Sequence, residues 1–215
     1  MTQLAPDSAL THRKPQRKQG LKRFDLLLDT VEALLEDPTV EDISLALVAE
    51  RAGVPISSLY HFFPNRDSAY FALAQRFHQA LHELAEQPLP HRPASWQELI
   101  EIKQRNGAQY LNAHPAALRL FMGAGMSMDV RNLDMYSNAR LARGRAEFIG
   151  QYFHTEHVEN LERHLAIAIG LADGIWAVSY SETKEITPYF LKEATRATIL
   201  YLRSYLPEFL APRLP

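Results

Sequence analysis

The sequence predicts an all-α protein, and three observations support that prediction. Apolar residues recur at three- and four-residue steps in one segment after another, which is the periodicity of a single helix face. Prolines fall between or at the ends of those segments, where helices are expected to stop. No segment of the first 86 residues reads as a strand. The chain has 215 residues, of which 47% are apolar, enough to fill the core of one large domain or two small ones.

Residues 1–20 are predicted to form a flexible basic arm. Six bases and no acid lie between residues 8 and 24, and the segment lacks apolar periodicity. Two interpretations stay open for this arm: a solvated tail, or an arm that contacts nucleic acid. In the second case the candidate contacts are Arg13, Lys14, Arg17 and Lys18.

Four helices are predicted in residues 21–86. The first ends at Asp37, because a residue before proline avoids the α region. Ser44 is a suitable N-cap for the second helix, and Gly53 suits a left-handed conformation at its end. The third is expected over residues 55–62. The fourth runs from a cap at Asn65 or Asp67 to about residue 86.

Three prolines in residues 87–93 mark a junction between domains. Residues 21–86 and 94–215 are therefore the predicted domains. In the second domain the predicted helices are 96–113, 116–122, 131–154, 158–181 and 188–206. Thr187 and Pro188 are suitable as cap and first residue of the last helix.

The pattern from Leu45 to Phe62 is typical of a helix-turn-helix. Two short crossing helices need a small residue at the crossing, here Ala49, and a residue tolerant of positive φ at the turn, here Gly53. Apolar residues at the remaining inward positions fill the angle between the helices. The residues left pointing outward, which would enter a major groove, are Pro55, Ile56, Ser57, Tyr60 and His61.

The segment VAERAGVPISSLYHFFPNRD, residues 48–67, resembles the TetR family of bacterial transcriptional regulators. The sequence Gly174-Ile-Trp-Ala, followed by another long helix, is similar to the dimerising C-terminal pair of that family. The resemblance implies an all-α homodimer with an N-terminal operator-binding domain and a C-terminal effector pocket. Pro55 departs from the family pattern, since it stands where a Ser or Thr cap is usual.

Roles can be assigned to the predicted DNA-binding residues. The resemblance suggests phosphate contacts for Tyr60 and Arg66, and Ser44 lies at a helix N-terminus that could meet another phosphate. Candidates for base edges are Ser57, Ser58 and His61, and candidates for thymine methyl groups are Pro55 and Ile56. Residues 21–80 are net acidic, but residues 51–66 contain no acid.

An effector pocket is predicted around a cluster of methionines and aromatic residues in the C-terminal domain, because methionine adapts to irregular ligands. Its members are Trp96, Tyr110, Phe121, Met122, Met126, Met135, Tyr136, Asp173 and Trp176. An ordinary core is the alternative. The region has few clustered charges, so the expected effector is a largely apolar or aromatic small molecule.

A dimer interface is predicted from the helix over residues 158–181, which is apolar nearly all round, and the helix that follows it. The residues assigned to it are Gly170, Gly174, Leu191, Ala194, Thr198, Tyr201 and Leu202. The core of a monomer is the alternative.

Several classes of function are excluded or disfavoured. The chain has no cysteine, so disulfides, thiolate metal sites and cysteine nucleophiles are excluded. No catalytic or nucleotide-binding motif appears, and the histidine spacings match no metalloenzyme. We therefore expect no enzyme activity, cofactor or metal. With no apolar run of 18 residues and no apolar leader, we expect a cytoplasmic protein without a membrane partner.

The sequence thus predicts a repressor that binds a pseudo-palindromic operator in double-stranded DNA as a homodimer and is released by a small molecule. Two alternatives remain: an all-α adaptor, and a DNA-binding protein without an effector.

Overall fold

The computed structural model describes residues 17–40, 42–123 and 127–213. These residues form nine α-helices and no β-sheet. In order the helices are α1 (Lys18–Glu36), α2 (Leu45–Ala52), α3 (Ile56–Phe62), α4 (Arg66–Glu86), α5 (Trp96–Ala113), α6 (Pro115–Met122), α7 (Met128–Tyr152), α8 (Leu161–Thr183) and α9 (Pro188–Leu202). None of the helices in this described part is both long and apolar enough to cross a membrane. The predicted all-α class is confirmed.

Helix boundaries differ from the predicted ones by three residues or more in four places, one of which is the start of α7 at Met128, three residues early. Helix α1 begins at Lys18, so the last three residues of the predicted arm are helical. Helix α8 begins three residues late, because Asn160 before it adopts a left-handed conformation with φ of 53°. Helix α9 ends at Leu202, four residues early, where the chain turns and continues to Arg213 in irregular structure.

The chain forms two compact units. The first contains the residues up to Phe77 together with Pro115–Asp134, and the second contains His78–His114 and the residues from Met135 onward. This division differs from the predicted domain boundaries, because helix α6 packs on α1 and joins the first unit. Helices α4 and α7 each contribute residues to both units.

The core of the first unit is built on α1. Its buried face carries Leu27 and Val31, which are almost fully enclosed. Phe24 meets Phe62 edge-on, with 6.0 Å between ring centroids, and meets Phe63 at 5.2 Å. These rings attach α3 to α1 and so fix the position of the helix-turn-helix.

A guanidinium from α6 binds the end of α1. Arg119 donates to the carbonyl of Leu35 at 3.0 Å and to that of Val40 at 2.9 Å. The last carbonyls of a helix have no partner within the helix, and α1 has no basic residue in its last turn. Arg119 therefore supplies a C-terminal cap from another element.

Helices α5, α8 and α9 form the core of the second unit. Gln104 on α5 donates to the Thr198 hydroxyl at 2.7 Å and accepts from the Thr195 hydroxyl at 2.8 Å, both on α9. Thr198 in turn donates to the carbonyl of Ala168 on α8 at 3.4 Å. These bonds satisfy polar groups that would be costly to bury alone, and they fix the register of the three helices.

Residues 207–213, here called the C-terminal strap, run beside the start of α5 and the end of α7. The Trp96 indole donates to the carbonyl of Pro207 at 2.9 Å. Phe153 and Pro212 form an antiparallel bridge, next to a bond from the Arg213 N–H to the Tyr152 carbonyl at 2.8 Å. Leu210 of the strap is buried in the core of the second unit.

Candidate functional site

The turn between α2 and α3 has the geometry that the sequence predicts. Gly53 adopts φ of 64° and ψ of 33°, the left-handed conformation that glycine takes without strain. Its N–H and that of Val54 both donate to the Ala49 carbonyl, which closes the end of α2. Ala49, Val48 and Leu59 are buried in the angle between the two helices.

Helix α3 presents an exposed face to solvent. Ser57 and His61 are exposed, and Tyr60 is 53% exposed. Pro55 and Ile56, at the start of the helix, are exposed too, and Ser58 is half-buried. The structure therefore places these six residues on or beside one accessible surface, here called the α3 face. Its opposite side, with Leu59 and Phe62, is buried.

Two further candidate residues lie at the N-terminal ends of the neighbouring helices α2 and α4. Ser44 caps α2, because its hydroxyl oxygen accepts from the Leu47 N–H at 3.1 Å. Arg66 begins α4 and is half-exposed, but its guanidinium pairs with the Asp42 carboxylate at 2.6 Å. A phosphate contact by Arg66 would have to replace this ion pair.

The predicted basic arm is only partly described. Arg17 lies at the N-cap position of α1 and Lys18 in its first turn, and both are exposed. Arg13 and Lys14 lie outside the described residues.

On the exposed side of α1, Arg76 from α4 forms ion pairs with Asp29, at 2.6 Å, and with Glu32. Part of the acidity of α1 is thus neutralised within the unit.

Comparison with solved structures identifies the fold. A TetR-family transcriptional regulator from Streptomyces coelicolor superposes with a TM-score of 0.66 and 22% identity over 86% of this chain and 99% of that one. A TetR regulator from Rhodococcus sp. RHA1 gives a TM-score of 0.60 at 19% identity, over 87% and 98% of the two chains. The chain has the fold of the TetR-family regulators. The resemblance seen in the sequence is confirmed at the level of the fold.

Two more relatives of this TetR fold are informative. SmeT, the repressor of the Stenotrophomonas maltophilia multidrug efflux pump SmeDEF, superposes with a TM-score of 0.58 at 16% identity, over 89% of this chain and 97% of that one. EthR from Mycobacterium tuberculosis, an HTH-type transcriptional regulator, is 35% identical over 95 residues, or 42% of this chain. That match covers 44% of EthR, so the chain spans less than half the length of this curated relative. No family model matches the sequence.

The residues predicted to form the effector pocket of this TetR fold are not gathered around one described cavity. Phe121 is buried in the first unit, edge-on to Phe77, and Met122 beside it is half-buried. Met135 and Tyr136 are exposed on α7. Met126 lies outside the described residues.

The other predicted pocket residues lie in the second unit. Trp96 is fully buried, and its indole N–H is bonded to the Pro207 carbonyl, so it is a core residue. Tyr110 stacks on His114, with 4.1 Å between ring centroids. Asp173 is half-buried and accepts from the Asn138 amide at 2.7 Å. Trp176 is buried, and its indole nitrogen has no hydrogen-bond partner within the described residues.

A different cavity opens between the end of α4 and the second half of α7, entirely within the second unit. Its volume is about 550 Å³, within the usual range for small-molecule sites. Apolar and polar groups share its wall, which includes His82, Arg140, Gly144, Phe148 and Tyr152. None of the predicted effector residues lines it. The sequence hint was the pair His78 and His82, whose four-residue spacing places both on one helix face, but the histidine spacings were compared only with metalloenzyme motifs, which they do not match.

The residues of the predicted dimer interface fall into an accessible set and an enclosed set. Gly170 and Gly174 are exposed on α8, and Leu191 and Tyr201 are half-buried on α9. Three other residues face the core of their own unit and are fully enclosed there, so they are unavailable to a partner: Ala194, Thr198 and Leu202. The exposed apolar surface of these two helices instead carries Ile167, Leu171, Val178, Tyr189 and Leu200. This set is here called the α8–α9 face.

Proposed function

We propose that the protein is a DNA-binding transcriptional regulator that acts as a homodimer in the cytoplasm and responds to a small molecule. The α3 face carries this proposal. A helix-turn-helix of the TetR fold leaves a short helix free to enter a major groove, and its exposed side chains are the polar and small groups that contact base edges and phosphates. An adaptor that bound a protein through α3 would be expected to expose a more apolar surface.

The roles proposed for single residues follow from their positions. Ser57, Ser58 and His61 face base edges, Pro55 and Ile56 touch thymine methyl groups, and Tyr60 donates to a phosphate. Helix α3 has no Arg, Asn or Gln, so bidentate base contacts from this helix are excluded. We therefore expect a large share of the specificity to come from DNA shape. The basic residues before α1 add salt-dependent affinity.

The α8–α9 face is the proposed dimer interface. Val178 is 48% and Leu200 52% exposed, and both lie beside a depression of about 420 Å³ on this face. Two copies related by a two-fold axis would bury these side chains against each other. A two-fold dimer places two α3 helices on a pseudo-palindromic operator, and release by an effector makes the protein a repressor.

A selection of the purified protein against random duplex DNA, sequenced at moderate salt, tests this function. We expect one inverted repeat to be enriched. A Tyr60→Phe variant should bind that repeat more weakly, whereas Tyr136→Phe, at an exposed position of α7, should bind it like the unmodified protein. Weak binding without any enriched sequence would contradict the proposed function, and equal binding by Tyr60→Phe would contradict the phosphate contact.

A further inference from the structure

We infer that the α4–α7 cavity binds an uncharged aromatic compound bearing a hydroxyl group, with the hydroxyl at His82 and the ring between Phe148, Leu141 and Tyr152. The effect of such a ligand on DNA binding rests on the proposed function, but its binding does not. Three observations support the inference: an unsatisfied imidazole, the balance of charge around the cavity, and its aromatic wall.

His82 supplies the hydrogen-bonding group. The residue is only 6% exposed and lines the cavity, and its Nε2 has no hydrogen-bond partner within the described residues. Burial and the nearby Arg140 guanidinium lower the pKa of His82 against the opposing effect of Glu86, which favours the neutral ring. In a neutral imidazole Nε2 is a donor in one tautomer and an acceptor in the other. A hydroxyl satisfies either tautomer, because it both donates and accepts, whereas a carboxylate or an ether oxygen only accepts.

The charges around the cavity oppose a ligand with a net charge. Glu86 and Glu147 are exposed at its wall and disfavour an anion. Arg140 and Arg143 disfavour a cation, although Arg143 lies 3.7 Å from the Glu162 carboxylate. The cavity wall thus carries two acidic and two basic side chains, so a net charge on the ligand would not increase its affinity.

The ammonium group of Lys103, which is buried next to Phe148, also disfavours a cationic ligand. Lys103 donates to the carbonyl of Ala85 at 2.6 Å, and its Nζ lies 3.8 Å from the centroid of the Phe148 ring. Burial and the neighbouring Arg145 lower the pKa of Lys103 to about 8, so the group is still largely charged at pH 7. A cationic ligand on the cavity side of the same ring would place two cations close together.

The remaining wall suits an aromatic ring. Phe148 and Tyr152 lie on successive turns of α7, with 5.4 Å between ring centroids, and Leu141 and Pro88 complete the apolar lining. Gly144 lies one turn before Phe148, and a β-carbon added there would have no neighbour within 4 Å. The cavity is therefore open at Gly144, where an added β-carbon would displace no protein atoms and a larger side chain would extend into the space of the ligand.

A matched set of naphthalene derivatives tests the inference by isothermal titration with the full chain and no DNA. The four probes share one ring system and differ in one group: 2-naphthol, naphthalene, 2-naphthoate and 2-naphthylmethylammonium. We expect 2-naphthol to bind tightest, by about fivefold or more over naphthalene, as one neutral hydrogen bond implies. Tighter binding of the anion or the cation, or equal binding of naphthol and naphthalene, would overturn the inference.

Variants locate the binding. His82→Leu should reduce the affinity for 2-naphthol to that for naphthalene and leave the affinity for naphthalene unchanged. Gly144→Leu should abolish binding of all four probes, whereas Gly144→Ala, which changes the same position but leaves most of the cavity open, should retain it. Retained binding in a folded Gly144→Leu protein would show that the probes bind elsewhere and would overturn the assignment.

A separate measurement keeps the two proposals distinguishable. Once an operator is known, its affinity for the protein is compared with and without saturating 2-naphthol. Naphthol that binds as expected but leaves the affinity for DNA unchanged would contradict the effector role in the proposed function, and the ligand assignment of the cavity would stand. Absence of naphthol binding in a protein that still selects an operator would overturn the inference alone.

Discussion

At the scale of single residues, two serine caps offer a controlled test of Ser44. Ser44 and Ser95 each accept an N–H bond at 3.1 Å at the start of a helix, α2 and α5. Ser44→Ala and Ser95→Ala should each lower the free energy of unfolding by about 1 kcal/mol, because each removes one N-cap. Only Ser44→Ala should also weaken DNA binding. Urea denaturation and a DNA titration measure the two effects, and equal DNA affinities would remove the phosphate role of Ser44.

Two buried ionisable residues give stability a pH dependence of opposite sign. Burial, and to a lesser extent His82, lowers the pKa of His78 to about 4. Between pH 4 and 6.5 the unfolded chain therefore binds the extra proton, and stability is lost as pH falls. Burial raises the pKa of Asp134 to about 6 against the opposing effect of Arg131, so between pH 3.8 and 6 the folded chain binds the proton and gains stability as pH falls.

These opposed effects predict how variants respond to acid. Asp134→Asn removes the gain and leaves the loss at His78, so from pH 7 to pH 5 this variant should lose more stability than the unmodified protein. His78→Leu should show the reverse. Urea denaturation midpoints at the two pH values provide the comparison. A steeper loss in His78→Leu than in Asp134→Asn would contradict both assignments.

At the scale of elements, helix α6 is expected to hold the end of α1. Arg119→Met keeps the stem of the side chain but removes the bonds to the Leu35 and Val40 carbonyls, which leaves the end of α1 uncapped. We expect the free energy of unfolding to fall by about 2 kcal/mol, as for hydrogen bonds to a charged donor. Arg105→Met, at an exposed position of α5, is the control and should change stability little. Equal stability of the two variants in urea would exclude the cap.

Elements defined by local chemistry could be predicted from the sequence. The caps at Ser44 and Thr187 and the left-handed Gly53 depend on a few neighbouring residues, and all three are confirmed. The α3 face was predictable for the same reason, because a short helix with one apolar side leaves the other side exposed. The start of α8 was missed because the left-handed Asn160 carries no strong signal for that conformation.

Features that depend on how the helices pack against one another could not be predicted from the sequence. Helices α8 and α9 are apolar on more than one side, and periodicity does not say which side faces the core. Ala194, Thr198 and Leu202 were therefore assigned to the wrong side. The α4–α7 cavity was missed because its lining comes from two segments more than fifty residues apart, each of which reads alone as an ordinary polar helix surface.

At the scale of the whole molecule, the α8–α9 face predicts the oligomeric state. Val178→Glu should convert a dimer into a monomer at micromolar concentration, because the carboxylate would be buried without a partner in the interface. Leu26→Glu, at an exposed position of α1, is the matched control and should leave the dimer intact. Sedimentation velocity distinguishes the two. A Val178→Glu protein that sediments as a dimer would show that the interface lies elsewhere.

The interleaved units of the chain have a consequence for its synthesis. The first unit is complete once Asp134 has been added, although residues 78–114, which belong to the second, have by then been made. The second unit also needs Leu210 of the C-terminal strap, 76 residues later (210 − 134). At about 5–20 residues per second, a ribosome needs roughly 4 to 15 s for that stretch. During those seconds the nascent protein can hold a folded first unit with its helix-turn-helix. The apolar side chains of residues 78–114 are still uncovered, because later residues of their core, Leu210 among them, have not yet been made.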